Sequence, residues 1–209
     1  MEKERFEDWS RDYDGQVKKE TFPFKGYEKI KEAIRSRIPV NHSTQILDLG
    51  VGTGNLTKPL YDKGAQIYAL DFSEKMLEKA REKMKSALLI HHDIGMGLPE
   101  KLKRAKFDAI IAGFVLHHFN FEKKFQLIKE MIPHLKVENG RLLIADVSFQ
   151  TREAMNACRR KYGQLWDEEE DYFVAAQLTK RIDPVQYTQI SECCGIYEIP
   201  QQANISLQE

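Results

Sequence analysis

The stretch QILDLGVGTGN, residues 45–55, decides the fold of this chain. Its first half is an apolar run that is too short for a helix and fits a strand buried in a parallel sheet. Three alternating glycines follow, at Gly50, Gly52 and Gly54. Without a Cβ they let the backbone turn sharply and approach a ligand closely. We therefore predict a strand, a glycine-rich turn and a helix over residues 56–63, whose N-terminal N–H groups face an anionic ligand group.

The glycine spacing argues against a dinucleotide site. Such a site needs the fingerprint G-x-G-x-x-G/A, but the third glycine position falls on Asn55 or on Thr57, depending on which glycine starts the count. Asp48 stands two residues before the first glycine, where its carboxylate repels a pyrophosphate and attracts an ammonium group. A tight turn with no ligand is the simpler alternative.

The pattern D-x-G-x-G-x-G, from Asp48 to Gly54, resembles motif I of the class I S-adenosylmethionine (SAM)-dependent methyltransferases. The resemblance implies that Asp48 lies near the methionine ammonium and that the backbone of Gly50, Gly52 and Gly54 cradles SAM, with S-adenosylhomocysteine as the product. The segments FEDWSRDYD, FDAIIAGFVLHHF, DEEEDYF and QISECCGIYEI widen the likeness. With them the chain is similar to the YrrT-type methyltransferases of Gram-positive bacteria, which leaves the acceptor open.

An acidic residue at the end of the second strand is expected to bind the ribose. Asp71 follows the predicted strand over residues 66–70 and lies 17 positions after Gly54 (71 minus 54), close to the roughly 20 expected for a ribose ligand. The resemblance assigns the same role to Asp71. Phe72 or Met76 would contact the adenine, although packing in the core explains both residues equally well.

The resemblance places further cofactor contacts after the third and fourth strands, predicted over residues 87–91 and 107–112. Asp93 would lie beside the adenine amino group, and the backbone of Ile94 would face the ring. Gly113 begins the segment that would line the sulfur and methyl region of SAM.

The pair His117 and His118 would then lie near the reaction centre. A histidine there can act as a general base, because its ordinary pKa of roughly 6.5 suits proton removal at neutral pH. The alternative is a structural role in holding the loop. Methyl transfer needs no base if the acceptor is already an anion or a thiolate.

The sequence His91, His92, Asp93 also suggests a metal. Adjacent strand residues point to opposite faces, so the two histidines are poorly placed to share one ion. We therefore expect no metal site in this protein.

The N-terminal segment carries an aromatic stripe at helical spacing: Phe6, Trp9 and Tyr13. The stripe either packs on the domain or closes over the cofactor site. Many small-molecule methyltransferases carry a similar W-x3-YD segment, matched here by Trp9, Tyr13 and Asp14, and in them the tyrosine often borders the SAM site.

Alternating strands and helices predict an α/β fold: a Rossmann-like, doubly wound, mostly parallel sheet with ligands over the carboxyl ends of its strands. The fifth strand covers residues 140–146, with Asp146 at its carboxyl end. The resemblance implies an antiparallel C-terminal strand, and the segments 196–199 and 203–207 fit a hairpin. Residues 172–178 have a helical pattern.

We expect a single domain over residues 1–209. Its three parts are an N-terminal helical lid (1–40), a SAM-binding core (41–150), and a helical insert with a closing hairpin (151–209).

Composition limits the function classes. The formal net charge is zero, so there is no global basic footprint for nucleic acid. The sequence contains no signal-peptide core and no apolar run of membrane-spanning length, and its three cysteines do not suggest a disulfide scaffold. We expect a cytoplasmic enzyme with a small-molecule acceptor and no membrane partner, and the oligomeric state is open. The alternatives are a SAM-binding regulatory protein, an RNA methyltransferase and a nucleotide-dependent oxidoreductase.

Overall fold

The computed structural model describes residues 13–19 and 21–206. Its helices are α1 Tyr13–Lys18, α2 Tyr27–Arg37, α3 Lys58–Asp62, α4 Glu74–Lys83, α5 Phe121–Met131, α6 Arg152–Tyr162 and α7 Ala175–Thr179. Its strands are β1 Gln45–Leu49, β2 Gln66–Asp71, β3 Leu88–His91, β4 Ala109–Gly113, β5 Arg141–Phe149, β6 Phe173–Val174, β7 Ile182–Asp183, β8 Gln186–Gln189, β9 Cys194–Pro200 and β10 Asn204–Ile205.

The main sheet has the strand order β3-β2-β1-β4-β5-β9-β8. Strands β1 to β5 are parallel, and β9 runs antiparallel to both β5 and β8. The strand order reverses between β1 and β4, and ligands of doubly wound sheets bind at such a reversal, outside the carboxyl ends of the strands. The predicted Rossmann-like fold with an antiparallel closing strand is confirmed.

Both faces of the sheet are covered. Ile46 and Leu47 are neighbours on β1 and are fully buried, yet they belong to separate apolar clusters on opposite sides of the sheet. Ile30 of α2 and Leu77 of α4 pack in the first cluster, and Phe125 of α5 packs in the second. Two-sided burial explains why the strands have near-continuous apolar runs rather than alternation.

The predicted C-terminal hairpin is wrong. Strand β9 forms its hairpin with the preceding β8, whereas β10 pairs with β7. The β8 segment was missed because its sequence, QYTQ, is polar and mostly exposed at the edge of the sheet. Its register is supported by Tyr187, which lies opposite Tyr197 with ring centroids 4.7 Å apart.

Two other boundaries differ from prediction. The segment predicted as a helix over residues 172–178 begins as strand β6, which pairs with the end of β5, and only then becomes α7. Strand β5 continues to Phe149, so Asp146 lies inside the strand rather than at its end. The neighbouring β4 ends at Gly113, opposite Ala145. Asp146 therefore has no pairing partner on β4, and the loop after β4 lies beside it instead.

The helix after the glycine loop starts later than predicted. It begins at Lys58, after a turn that ends with the fully buried N-cap residue Thr57, and Pro59 lies in its first turn as expected. The first helical N–H groups therefore do not follow the glycines directly. Of the N-terminal aromatic stripe, Phe6 and Trp9 lie outside the described residues. Within the described part of the chain, no helix is long and apolar enough to cross a membrane.

Candidate active site

The glycine loop after β1 has a backbone that strongly favours glycine. Gly50, Gly52 and Gly54 have φ angles of 72°, 54° and 80°, all in the left-handed region. A Cβ at Gly50 would lie 2.5 Å from Val115 Cγ2, and one at Gly54 would lie 2.7 Å from Met84 Cε. Among the described residues nothing lies within 4 Å of a Cβ placed at Gly52. Gly52 is therefore the position where the loop adjoins open space.

A cleft of about 460 Å³ lies at this end of the sheet. Its lining residues come from the ends of four neighbouring strands, β1 to β4, and their loops: Gly50, Gly52, Asp71, Phe72, Met76, His92, Ile94, Gly113, Phe114, Val115 and His118. Seven of the predicted cofactor residues are in this lining, together with one of the two predicted histidines. Asp48, Gly54 and Asp93 are not in it, and the side chain of Tyr13 lies outside what the structure describes.

Asp71 connects the glycine loop to β2. Its Oδ2 accepts a hydrogen bond of 2.7 Å from Gly52 N, and its Oδ1 accepts one of 2.9 Å from Ser73 N. Burial raises the pKa of this carboxyl, while the same backbone hydrogen bonds oppose the rise. Each carboxylate oxygen can accept a second hydrogen bond. The chemistry of Asp71 therefore fits a ribose with two neighbouring hydroxyl groups.

Asp48 lies behind the glycine loop and not on the wall of the cleft. It is 1% exposed, and its Oδ2 accepts a hydrogen bond from the hydroxyl of Thr57. Burial raises the pKa of Asp48 to about 7, and the charge of Asp71 adds to the rise. A buried carboxylate of this kind is stabilised by a nearby cationic group, so the pair Asp48 and Asp71 suits a ligand that carries an ammonium.

Asp93 forms a local turn. Its Oδ1 accepts a hydrogen bond of 2.8 Å from Gly95 N, which caps a short 3-10 turn, and its neighbours His92 and Ile94 face the cleft. The adenine role of Asp93 therefore stays a prediction. The Nε2 of His92 lies 2.8 Å from Gly97 O, and that of His91 lies 2.8 Å from Phe72 O, so these two histidines contact separate carbonyls.

A buried carboxylate shapes the loop after β4. Asp146 Oδ2 accepts hydrogen bonds from Leu116 N at 3.0 Å and from His117 N at 3.1 Å. Its Oδ1 lies 2.6 Å from His117 Nδ1. Phe114 takes a φ of 54° in the same loop, which lets the chain turn from the strand into the 3-10 turn at 116–118. Asp146 thus fixes both the backbone and the imidazole of His117.

A second carboxylate meets both histidines. Glu170 Oε1 lies 3.5 Å from His117 Nε2 and 3.4 Å from His118 Nδ1. The Tyr172 hydroxyl donates a hydrogen bond of 2.7 Å to Glu170 Oε2. Glu170 was not predicted as a site residue, because it lies within a run of five acidic residues and has no sequence feature to distinguish it from its neighbours.

The mutual arrangement of these groups moves their pKa values in opposite directions. Burial lowers the pKa of His117, but the carboxylate of Asp146 and then that of Glu170 outweigh it, so the net change is a rise. Burial and the adjacent His117 lower the pKa of His118. Burial would raise the pKa of Glu170, yet the two histidines and Tyr172 bring it to about 2.

A buried ammonium holds the acidic segment in place. Lys124 has an exposed fraction of 0%, and its Nζ lies 2.9 Å from Asp171 Oδ1 and 4.3 Å from the centroid of the Phe173 ring. Asp171 N in turn donates a hydrogen bond of 2.9 Å to His117 O. Lys124 therefore ties the segment that carries Glu170 to the loop that carries the histidines.

Helix α1 contacts the glycine loop through Asp14. The Asp14 carboxylate accepts hydrogen bonds from Thr53 Oγ1 at 2.6 Å, from Asn55 Nδ2 at 2.8 Å and from Lys83 Nζ at 3.1 Å. Asn55 occupies the position where a dinucleotide fingerprint would have glycine. Its side chain is used to fix the N-terminal helix, a role that the sequence pattern did not indicate.

Known proteins are similar to this chain in sequence and in fold. Residues 46–138 match the family model described as a methyltransferase domain. The chain is 32% identical over 179 residues to an uncharacterized methyltransferase of Alkaliphilus oremlandii, with 80% of each chain covered. It is 31% identical over 155 residues to the uncharacterized methyltransferase YrrT of Bacillus subtilis, covering 71% of this chain and 68% of that one. In structure it is similar to magnesium protoporphyrin IX methyltransferase from Synechocystis with bound S-adenosylhomocysteine, at a TM-score of 0.67 and 19% identity, covering 98% of this chain and all of the other.

Proposed function

This chain belongs to the SAM-dependent methyltransferases, and we propose that it transfers the methyl group to a small, polar acceptor that reaches the His118 end of the cleft. One observation carries the proposal. Asp71, a carboxylate suited to bind ribose hydroxyls, lines the cleft beside Gly52. His118 also lines the cleft, and it contacts the carboxylate of Glu170. The proposed cofactor site therefore lies next to a cluster of polar side chains that can contact the acceptor.

We assign the two ends of the cofactor as follows. Asp71 would accept hydrogen bonds from the ribose hydroxyls, and the apolar side chains of Met76 and Ile94 would enclose the adenine. The buried carboxyl of Asp48, whose pKa is raised to about 7, would release its proton and favour the methionine ammonium when SAM binds at the glycine loop. When bound, SAM supplies a methyl group on a sulfonium whose positive charge is lost on transfer. The residues of the chain orient the two reactants and exclude water from the apolar part of the cleft.

A second cleft adjoins the histidine cluster and offers room for the acceptor. It holds about 870 Å³ and shares the side chains of Glu170 and Tyr172 with the histidine cluster. Arg152 and Arg159 contribute cationic groups to its wall, and Arg159 pairs there with Glu168 of the acidic segment at 2.7 Å. This mixture suits a small acceptor that carries polar or charged groups. The acceptor of the structurally similar Synechocystis enzyme, magnesium protoporphyrin IX, is also a small molecule.

The roles of the two histidines differ in their geometry. The Nδ1 of His117 is already engaged by Asp146, whereas His118 borders the cleft directly. A general-base role for His117 or His118 stays a prediction. It is needed only if the acceptor atom arrives with a proton.

Transfer of radioactive methyl from SAM into fractionated bacterial extract tests the proposal. We expect label in the metabolite fraction below about 1 kDa, and none in the RNA or protein fractions. The variant Asp71→Ala should lose most of that label because it lacks the ribose carboxylate, and Glu138→Ala, an exposed position, should retain it. Label found only in RNA would contradict the small-molecule acceptor, and would favour the RNA methyltransferase reading.

A further inference from the structure

The clustering of two imidazoles and one carboxylate is specific enough to name a ligand. We propose that His117, His118 and Glu170 bind one divalent transition-metal ion of the Zn²⁺ type, between the cofactor cleft and the second cleft. Each residue offers one ligand atom, and the three atoms all lie within 4.8 Å of one another. The sequence pattern predicted no metal, because only His91, His92 and Asp93 are adjacent there and Glu170 is distant in the chain.

Two of the three distances between ligand atoms match those of a tetrahedral metal site. Two ligand atoms that each lie about 2.1 Å from a tetrahedral ion are about 3.4 Å apart. Glu170 Oε1 is 3.5 Å from His117 Nε2 and 3.4 Å from His118 Nδ1. The two distances from the carboxylate oxygen to the imidazole nitrogens are therefore close to the value required. Two imidazoles with one carboxylate form a set that binds Zn²⁺, Fe²⁺ or Mn²⁺ and leaves positions open.

The surrounding groups orient the ligands as the outer shell of a metal site does. Metal-binding histidines usually donate the other ring N–H to a carboxylate, which fixes the tautomer and the ring orientation. His117 Nδ1 lies 2.6 Å from Asp146 Oδ1, so that Nε2, the nitrogen facing Glu170, is left to bind the ion. Tyr172 donates to Glu170 Oε2 and leaves Oε1 toward the histidines.

The charge balance of the cluster favours a cation. Among the described residues around it, three carboxylates, those of Asp146, Glu170 and Asp171, face one ammonium, that of Lys124. Histidines that bind a metal are neutral, and in that state the charges of Asp146 and Glu170, which are 0% and 13% exposed, are left uncompensated. Buried charges are stable only when they are paired or when they coordinate a metal. A divalent ion would neutralise the pair.

The position of the site indicates what the ion would do. His118 borders the cofactor cleft, and Glu170 borders the second cleft, so an ion held by both is accessible to a molecule in either one. Three protein ligands leave a coordination position for an oxygen, nitrogen or sulfur atom of the acceptor, next to the methyl group. This acceptor role rests on the proposed function, whereas the binding of the ion does not.

Titration of untagged, chelator-treated protein with Co²⁺, followed by its visible absorption, tests the site. We expect wild-type protein to bind one ion per chain, with Zn²⁺ displacing it. Glu170→Gln and His118→Ala should bind Co²⁺ at least about 100-fold more weakly, and Tyr172→Phe only about 10-fold more weakly, because outer-shell changes cost roughly 10-fold or more. The control His42→Ala removes an exposed histidine outside the cluster and should bind as wild type does.

The outcomes separate this proposal from the proposed function. Absence of Co²⁺ binding to wild-type protein, or equal binding by wild type and Glu170→Gln, would overturn the metal site. Calorimetric titration of the same samples with SAM reports folding and cofactor binding independently. SAM binding without Co²⁺ binding would contradict the metal site alone, and loss of both in wild-type protein would contradict the proposed function as well.

Discussion

The Asp14 carboxylate lies 2.6 Å from the hydroxyl of Thr53, and this contact joins the N-terminal helix to the glycine loop. The same carboxylate also accepts from Asn55 and pairs with Lys83, which lies on α4. The N-terminal helix is thus held against the loop that forms one end of the cleft in which we propose that SAM binds. Cofactor binding and the order of this helix should therefore be coupled.

Asp14→Ala should release helix α1 and weaken SAM binding. Three partly exposed hydrogen bonds of this kind contribute on the order of 1–2 kcal/mol together. We expect faster amide hydrogen exchange over residues 13–19 and a SAM dissociation constant raised by about 10-fold, measured by exchange mass spectrometry and calorimetry. Glu138→Ala provides an exposed acidic control. Unchanged exchange in α1 would show that Asp14 does not hold the helix.

Gly52→Ala should impair SAM binding more than it impairs folding. Gly52 has a φ of 54° and faces open space, so an added methyl would enter the cleft. Gly163 is a matched control, because its φ is 45° and it also has open space around its Cβ position. Both alanine variants should lose about 1 kcal/mol of stability from backbone strain. Only Gly52→Ala should weaken SAM binding, and equal affinities in the two variants would place the cofactor elsewhere.

Asp48 should make the free protein less stable as the pH rises toward 7. Burial raises its pKa in the folded state to about 7, so the folded chain holds a proton that the unfolded chain releases near pH 4. Between those values the folded state binds more protons, and the free energy of unfolding falls with increasing pH, by up to ~4 kcal/mol.

Asp48→Asn should remove this pH dependence and keep the hydrogen bond from Thr57. We expect a higher melting temperature than wild type at pH 8, little difference near pH 4, and weaker SAM binding. Asp62→Asn, at an exposed carboxylate paired with Lys58, is the control and should leave the pH profile unchanged. A profile for Asp48→Asn that parallels that of wild type would contradict the assigned cause.

Lys124→Met should destabilise the protein strongly. The substitution removes the buried ammonium of the Lys124–Asp171 ion pair. Among the described contacts, Asp171 then has no cationic partner. Breaking such a pair costs about 3–5 kcal/mol, somewhat less here because Asp171 is partly exposed. Lys103→Met removes an exposed pair with Glu100 and should leave the urea unfolding midpoint nearly unchanged. Similar losses in the two variants would show that burial adds nothing.

The fold and the gathering of the glycine loop and Asp71 at one cleft were largely predictable from sequence. Buried parallel strands leave apolar runs, and the alternating glycines after β1 mark a turn whose left-handed backbone is confirmed at Gly50, Gly52 and Gly54. The position of Asp71 follows from its place at the end of β2. These features depend on residues that are close together in the chain, so the sequence pattern alone indicates them.

The other half of the site was only partly predictable. The histidines could be proposed from their place after β4, but Glu170 and Tyr172 arrive from a segment more than fifty residues later, held there by Lys124 and Asp171. Nothing in a run of five acids indicates which carboxylate is turned inward. The β8–β9 hairpin was missed for a similar reason, because a polar edge strand is specified by its partner rather than by its own sequence.

Calorimetric titration of SAM into wild-type protein and into Asp71→Ala tests the central claim most directly, which is that the cleft beside Gly52 binds SAM through this carboxylate. We predict one SAM per chain in wild type, and binding at least about 10-fold weaker in Asp71→Ala, with an unchanged circular dichroism spectrum. Equal affinity in the two proteins would contradict the claim.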